Sequence, residues 1–486
     1  MVEALRGLGY SAGAAIADII DNSLAARARR VELEFVWDGA DSRLLILDDG
    51  DGMDAAALDR AMRLGDRSPL EVREARDLGR FGLGLKTASF SQARRLTVAS
   101  RPRGGEVSVL RWDLDVLLAD RSGRWSLLDG PHPGSEDRLE RLQGREAGTA
   151  VLWELMDRIT PDSDSQAEFL LRIDRIERHL AMVFHHWIED GRLELTINGR
   201  EVRPWNPFLE SRGDTWRSVR DGFLCCGAPV TVQGFVLPHR DRLDARTWEA
   251  AAGPDGWTAQ QGFYVYRNDR LLVAGSWLGL GRGRSWTKDE AYRLARIRLD
   301  LTNASDADWR IDIRKSTARV PPEARARLTA MAEAVRDRAR RVFAFRGAPV
   351  SSGRREPLVQ AWTATRSKSG PRYRVDVSHP AVAQVLDEAG PLAPAIRAML
   401  KVIEDTVPVQ QIWLDTAEAK DTPPAVAESE PSPEIEALMR RIFDGMVRRR
   451  GLSPEEARTQ LARTEPFSAW PDALARLEPR SEGDRP

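Results

Sequence analysis

The carboxylate of Asp18 and the amide of Asn22 are four residues apart in a stretch with helical periodicity. Residues i and i+4 lie on one face of a helix, so both side chains should point in the same direction. An amide oxygen can ligate Mg²⁺, and a carboxylate can orient and deprotonate a water molecule. The pair suits magnesium-dependent phosphate chemistry, although two polar residues at the end of an ordinary helix would look the same.

A second acidic, glycine-containing segment, DDGDGM, runs from Asp48 to Met53 directly after an apolar run. Asp48 could accept a hydrogen bond from an exocyclic amine such as that of adenine. Gly50 and Gly52 would let a flat base approach the backbone. A plain turn or a calcium loop is the alternative, but the acidic spacing does not fit an EF-hand.

A glycine-rich segment, GRFGLGLKT, occupies residues 79–87 and leads into a predicted helix. Its backbone amides could close on a phosphate, and a helix start favours an anion. It fits neither the Rossmann fingerprint, which needs a strand directly upstream, nor the Walker spacing. Further along, Thr149 opens a predicted strand, where its hydroxyl could reach a base through water or only favour the strand.

The elements that must position these motifs follow from the apolar periodicity. Helices are predicted at about 11–30, 57–65 and 165–189, and strands at 31–38, 43–50, 95–101, 107–114 and 148–156. Hairpins are predicted at 192–202 and 261–275, strands at 295–301 and 309–315, and a long helix at 325–345. Strands followed by a helix in this second stretch predict a separate mixed domain.

Composition limits the classes of protein that remain. The chain has 486 residues, enough for several domains, and 30% of them are charged. No apolar run approaches the roughly 20 residues that cross a bilayer, and the start lacks the features of a signal peptide, so we expect a cytoplasmic protein without membrane contact. The two adjacent cysteines lack metal-site spacing and are expected to be packing residues.

The net charge of −1 makes the whole chain a poor electrostatic match for nucleic acid. DNA contact would need a local basic surface. A cluster near the carboxyl terminus offers one, but nearby glutamates equally favour a solvated amphipathic helix. The basic residues are Arg440, Arg441, Arg448, Arg449 and Arg450, and the glutamates are Glu434, Glu436, Glu455 and Glu456.

In this order, the four motifs resemble the boxes of the GHKL ATPases, the superfamily of gyrase, chaperone, histidine kinase and MutL. The resemblance covers nearly all of residues 5–156 and implies the Bergerat fold, an α/β sandwich of the α+β class. It implies ATP and Mg²⁺ as ligands, with Asp18 as general base, Asn22 on the metal and Asp48 on the adenine amine. Residues 54–78 would be the lid. The other residues implied to surround the nucleotide are Gly50, Gly52, Met53, Gly79, Phe81, Gly82, Leu83, Gly84, Leu85, Lys86, Thr87 and Thr149.

One residue departs from the pattern of this family. The usual general base is glutamate, and Asp18 is one methylene shorter. It would act through a shifted water, so we expect slow hydrolysis.

The phrases IADIIDNS and DLGRFGLGLKTASFSQ are most similar to prokaryotic ATPases of the MORC and MutL type. This resemblance implies a homodimer that ATP closes and hydrolysis opens, a transducer-like domain, and partner proteins in a restriction or antiviral system. The transducer would send a basic residue to the γ-phosphate: Lys315 first, Arg314 second and Lys288 as a weaker competitor. The boxes begin almost at Met1, which argues against a histidine kinase and implies a further amino-terminal segment that helps the dimer to close.

These expectations divide the chain into an ATP-binding domain (1–160), a β-α-β transducer-like domain (161–346), a small mixed domain (347–415), a flexible linker (416–433) and a helical segment (434–486). The predicted function is a slowly hydrolysing, DNA-associated conformational switch. The alternatives are a nucleotide-gated protein-interaction module with little hydrolysis and a chaperone-like ATPase.

Overall fold

The computed structural model describes residues 6–7, 9–63, 84–119, 126–159, 165–311, 317–344, 359–367, 370–409, 412 and 430–479. The chain divides into two compact units, Met1–Ala344 and Phe345–Pro486. Both contain helices and strands, which confirms the predicted α+β class. Within the described residues, no helix combines the length and the apolar character needed to cross a membrane.

The first unit contains two sheets and the helices packed on them. Its described helices are α1 Ala12–Ala25, α2 Ala55–Met62, α3 Gly84–Phe90, α4 Leu114–Ala119, α5 Glu140–Gln143, α6 Gln166–Val183, α7 His185–Glu189, α8 Ala245–Ala252, α9 Gly256–Ala259 and α10 Pro322–Ala344. Its described strands are β1 Arg30–Val36, β2 Arg43–Asp48, β3 Arg95–Arg101, β4 Ser108–Asp113, β5 Leu128–Asp129, β6 Gly148–Glu154, β7 Glu194–Ile197, β8 Arg200–Glu201, β9 Trp216–Arg217, β10 Asp221–Cys225, β11 Ala228–Val236, β12 Gly262–Arg267, β13 Arg270–Ser276 and β14 Ala295–Leu301.

The first sheet has eight strands in the order β5-β4-β3-β6-β2-β1-β7-β8. Its central strand β2 is apolar on both faces. Leu44 and Ile46 join the larger hydrophobic core with the helices, while Leu45 and Leu47 pack with α5 on the opposite face. Because successive side chains of a strand point to opposite faces, this double burial explains the continuous apolar run before Asp48.

Helix α1 lies in the helical layer of this sheet. Ser11 caps its amino terminus by accepting a hydrogen bond from the Ala14 amide. Its apolar stripe, which includes Ile16, Ile19 and Ile20, is buried and packs with α3 and α6. The core therefore determines which face of α1 remains for polar residues.

The first sheet continues past residue 160, where the sequence predicts the end of the ATP-binding domain. Strand β7 pairs in parallel with β1, with Leu195 opposite Val31, and α6 packs on α1. Residues up to Glu201 thus belong to the same structural layers as the motifs. The sequence did not indicate this pairing, because a strand that returns to the sheet edge has no local signature of its partner. The domain boundary at residue 160 stays a prediction.

The second sheet has the order β10-β11-β14-β12-β13, and β9 pairs with β11. Strands β12 and β13 form the hairpin predicted at 261–275, which is confirmed. Asn268 and Asp269 at its turn both have positive φ angles of 49° and 64°, as a two-residue hairpin turn requires. Helix α10 covers this sheet with a buried row that includes Leu328, Ala332 and Val335.

The strand predicted at 309–315 is wrong for residues 309–311. Trp309 and Arg310 lie in a turn, and Ile311 follows it outside any strand. Arg310 has a φ of 45°, outside the strand region. Trp309 and Ile311 alternate with polar residues as in a strand, but both are buried in the second core from this turn. Residues 312–316 lie outside the described residues, and so do the predicted Arg314 and Lys315.

The second unit begins with a hairpin and ends with a helical bundle. Its described elements are β15 Trp362–Ser367, β16 Gly370–Val375, α11 Pro380–Glu388, α12 Ala393–Asp405, α13 Pro433–Arg450, α14 Pro454–Leu461 and α15 Pro471–Ala475. Met439, Phe443, Leu461 and Phe467 are buried in its core. Helices α13 and α14 lie in the segment that the sequence predicts to be helical.

Candidate functional site

Helix α1 presents the two residues of the first motif. Asp18 is 4% exposed, whereas Asn22, one turn later, is exposed. The Tyr10 hydroxyl donates to Asp18 Oδ2 at 3.0 Å. Tyr10 thus holds the Asp18 carboxylate in one orientation, and the exposed amide of Asn22 is open to a ligand.

Arg270, at the start of β13, reaches this helix from the second sheet. Its Nη2 lies 3.7 Å from Asp18 Oδ1, and its Nε lies 3.2 Å from Asp21 Oδ2. All three side chains are at most 4% exposed. A buried cation between two buried carboxylates links the second sheet to helix α1 at the predicted general base. Sequence reasoning identified the hairpin but missed this arginine, and only its position at the hairpin turn could have pointed to it.

A second polar contact joins the same two parts of the unit. His185 of α7 is fully buried, and its Nε2 lies 2.8 Å from the hydroxyl of Tyr266 in β12. Burial lowers the pKa of His185 to about 4, although Glu189 counteracts the shift. The imidazole is therefore neutral at the junction.

This histidine predicts a dependence of stability on pH. In the unfolded chain the imidazole takes up a proton near the ordinary histidine pKa of 6.5, but in the folded chain its pKa is about 4. The contribution to the free energy of unfolding is present above pH 6.5 and is lost as the pH falls towards 4, up to roughly 3 kcal/mol. Urea unfolding across this range should show the loss, and His185→Gln should have a shallower slope. An unchanged slope in the variant would exclude His185 as the cause.

Asp48 lies at the end of β2, and its carboxylate accepts hydrogen bonds from three protein donors. It is 5% exposed. Oδ1 accepts from the amides of Gly50 at 2.9 Å and Thr149 at 3.1 Å, and Oδ2 accepts from Ser23 Oγ at 2.7 Å. Burial raises the pKa of the Asp48 carboxyl, and these three donors counteract the shift. Since a carboxylate offers about four acceptor positions, one remains for an amine.

Two glycines allow the backbone to close around Asp48. Gly148 has a φ of 148°, and a Cβ there would lie 2.2 Å from the Asp48 carbonyl oxygen. Gly52 has a φ of 69°, and a Cβ there would lie 1.8 Å from the Arg101 carbonyl oxygen. Both positions require glycine because of neighbouring backbone, a reason that the sequence did not supply.

Ser100 of β3 connects the second and fourth motifs. Its Oγ lies 2.9 Å from Thr149 Oγ1 and accepts from the Met53 amide at 2.9 Å. Ser23 and Ser100 were both missed, because a serine in a helix or strand has no local signal for such a contact. Together they hold Asp48, Met53 and Thr149 in one cluster at the ends of β2, β3 and β6.

Lys86 faces elsewhere in this structure. It is 2% exposed, and its Nζ donates to the carbonyl oxygens of Ala61 at 2.9 Å and Arg63 at 2.5 Å, at the end of α2. An ammonium group has three donors, and these two carbonyl contacts fix the orientation of Lys86 in the described conformation. The association of Lys86 with the nucleotide stays a prediction.

The remaining residues of the glycine motif are only partly described. Gly84, Leu85 and Thr87 form the start of α3, with Thr87 buried. Gly79, Phe81, Gly82 and Leu83, and the lid beyond residue 63, lie outside the described residues. Lys288, the weaker candidate for the γ-phosphate, donates to the Ala259 carbonyl oxygen, and burial lowers its pKa.

Comparison with known proteins agrees with this arrangement. Residues 10–149 match the model of the histidine kinase-, DNA gyrase B- and HSP90-like ATPase family. The amino-terminal part of this chain belongs to the GHKL ATPase superfamily. The match begins at Tyr10 and ends at Thr149, so it contains Asp18 with Tyr10 and the Asp48 cluster, but not Arg270.

One curated protein similar to this chain is the DNA mismatch repair protein MutL of Rhodospirillum rubrum. The two are 32% identical over 133 residues, which are 27% of this chain and 19% of the relative. The chain thus matches about a fifth of the relative's length. The similarity supports the superfamily and the kinship with MutL over that segment.

The basic patch predicted near the carboxyl terminus lies in the second unit. Arg441 and Arg449 of α13 approach Glu388 of α11, at 3.6 Å and 3.7 Å. Both arginines are more than half exposed, so the glutamate neutralises only part of the patch. DNA contact remains a proposal.

Proposed function

We propose that this chain binds ATP through Asp48 and hydrolyses it slowly with Asp18 as general base. The main support is the buried Asp48 carboxylate, which three protein donors orient while one acceptor position stays available. An adenine amine would complete the set of donors. The match to an ATPase family over the same residues supports this assignment.

The residues around Asp18 fit a magnesium ion. Asn22 is exposed on the turn that follows Asp18, and its amide oxygen is a ligand of the hard type that Mg²⁺ prefers. When bound, the ion would neutralise phosphate charge. Asp18, which the Tyr10 hydroxyl holds in position, would accept the proton of the attacking water.

The proposal includes a conformational switch of the MORC and MutL type. Arg270 gives the second sheet a direct contact with the catalytic carboxylate. A change in charge around Asp18 when the nucleotide binds would alter this ion pair and so act on the second sheet. We propose that the response is ATP-dependent dimerisation, with DNA or proteins of a defence system as partners.

Asp48→Asn tests the adenine contact. Asparagine offers one acceptor oxygen and places an NH₂ group among donors, so a buried donor loses its partner. We expect ATP to bind roughly 10- to 100-fold more weakly, measured by calorimetry with Mg²⁺ present. Asp51→Asn is the matched control, because Asp51 lies in the same loop and pairs with Arg27 at the surface. Equal affinity in Asp48→Asn and wild type would refute the adenine contact.

The dimerisation proposal has its own test. A non-hydrolysable ATP analogue with Mg²⁺ should convert a monomer into a particle of twice the mass, measured by light scattering after size exclusion. Asp48→Asn should remain monomeric at the same analogue concentration. A mass that does not respond to the analogue would contradict a nucleotide-gated dimer.

A nucleotide-gated interaction module without significant hydrolysis is the second candidate. Two features favour it. Arg270 occupies one side of the Asp18 carboxylate, and the short side chain of Asp18 reaches less far towards an attacking water than a glutamate would. Measuring phosphate release beside ATP binding separates the two: binding without release would support the module.

A further inference from the structure

A cavity of about 590 Å³ lies in the first unit, and Tyr10, whose hydroxyl donates to Asp18, is one of its lining residues. It is bounded by the amino-terminal end of α1, by α6 and by the loop at Pro254. Asp18, Asn22 and Asp48 are not among its described lining residues. Its size falls within the range of sites for small molecules.

The cavity is strongly basic. Among its described lining residues, the acidic one is Asp255, whereas five are arginines: Arg6, Arg158, Arg172, Arg175 and Arg178. Arg175 and Arg178 are exposed and lie one turn apart on α6, so they face the same side of the helix. Such an excess of guanidinium groups around a concave space suits a ligand with several negative charges.

Arg6 adds a buried guanidinium to the wall of the cavity. Its side chain is 2% exposed and pairs with Asp157 at 2.5 Å. Its Nε and Nη1 are buried and have no hydrogen-bond partner among the described residues. Buried donors without an acceptor are costly. Because these two nitrogens are enclosed by protein, an anion in the cavity would interact with the Arg6 guanidinium through its charge and not through a hydrogen bond to them.

The backbone adds to this preference for anions. Helix α1 has 14 residues, and its amino-terminal residues Ser11, Ala12 and Gly13 line the cavity. The first amides of a helix and its dipole attract negative charge. Arginine side chains and a helix start therefore converge on one space.

We propose that this cavity is a second ligand site, for a small molecule carrying at least two phosphate groups. Each phosphate can accept paired hydrogen bonds from a guanidinium, and at least two of the five arginines can serve each group. The site goes beyond the proposed ATP function, since it shares none of the motif residues Asp18, Asn22 and Asp48.

Inorganic tripolyphosphate is the probe for this site. Calorimetry uses the full chain carrying Asp48→Asn. Tripolyphosphate is titrated into the protein alone and, in a second titration, into the protein with a saturating amount of a non-hydrolysable ATP analogue. We expect one saturable site in both titrations. Adding Arg175→Gln and Arg178→Gln should weaken it by at least about tenfold. Both arginines are exposed, so circular dichroism should show an intact fold.

Arg340→Gln with Arg341→Gln is the matched control, because it removes the same charge from exposed positions of α10. It should leave the affinity unchanged. The proposal is overturned if tripolyphosphate shows no saturable binding, if the analogue displaces it, or if both double variants bind it alike. Failure of ATP binding alone would refute the proposed function and leave this test intact.

Discussion

Replacing Asp18 with Asn should reduce ATP turnover by a factor of about 10² to 10⁴, the usual contribution of a general base. Asparagine has nearly the same shape but cannot accept the proton of the attacking water. Its oxygen can still accept from Tyr10, and Asp21 remains beside Arg270, so the fold and the adenine contact should survive. Turnover is measured as phosphate release at saturating ATP, beside a calorimetric measurement of ATP binding.

Asp174→Asn is the control for this experiment, because Asp174 is an exposed carboxylate on α6. It should release phosphate at the wild-type rate. Wild-type release by Asp18→Asn would show that another group activates the water. If neither wild type nor control releases phosphate although ATP binds, the interaction module without hydrolysis is the better description.

Replacing Arg270 with Met should lower the free energy of unfolding by roughly 3 to 5 kcal/mol. Methionine fills a similar volume but leaves Asp18 and Asp21 buried without their cation. The cost arises from these uncompensated carboxylates more than from the lost attraction. Urea unfolding of the full chain measures the effect, with Arg246→Met, an exposed arginine of α8, as control.

A double-mutant cycle assigns this loss to the ion pair. Asp21→Asn removes one of the two buried charges, so Arg270→Met should cost less in that background than in wild type. An Arg270→Met variant that loses less than about 1 kcal/mol, or a cycle without coupling, would contradict a stabilising role for this contact.

Much of the local structure was predictable because it depends on periodicity. The strand over Arg95–Arg101 and the hairpin turn at Asn268 and Asp269 each follow from residues adjacent in sequence. The order of the acidic and glycine motifs also indicated the superfamily. The same periodicity wrongly predicted a strand at Trp309 and Ile311, because buried residues spaced by two also occur in a turn.

The sequence by itself determined the class of fold, the positions of most helices and strands, and the motifs that carry Asp18, Asn22 and Asp48. Only the tertiary structure decided which groups surround them. Arg270 reaches Asp21 across 249 positions of the chain, and Lys86 turns to the end of α2. Apolar periodicity specifies which face of an element is buried, but the partner of a buried polar group depends on how distant elements pack. No local pattern encodes that packing.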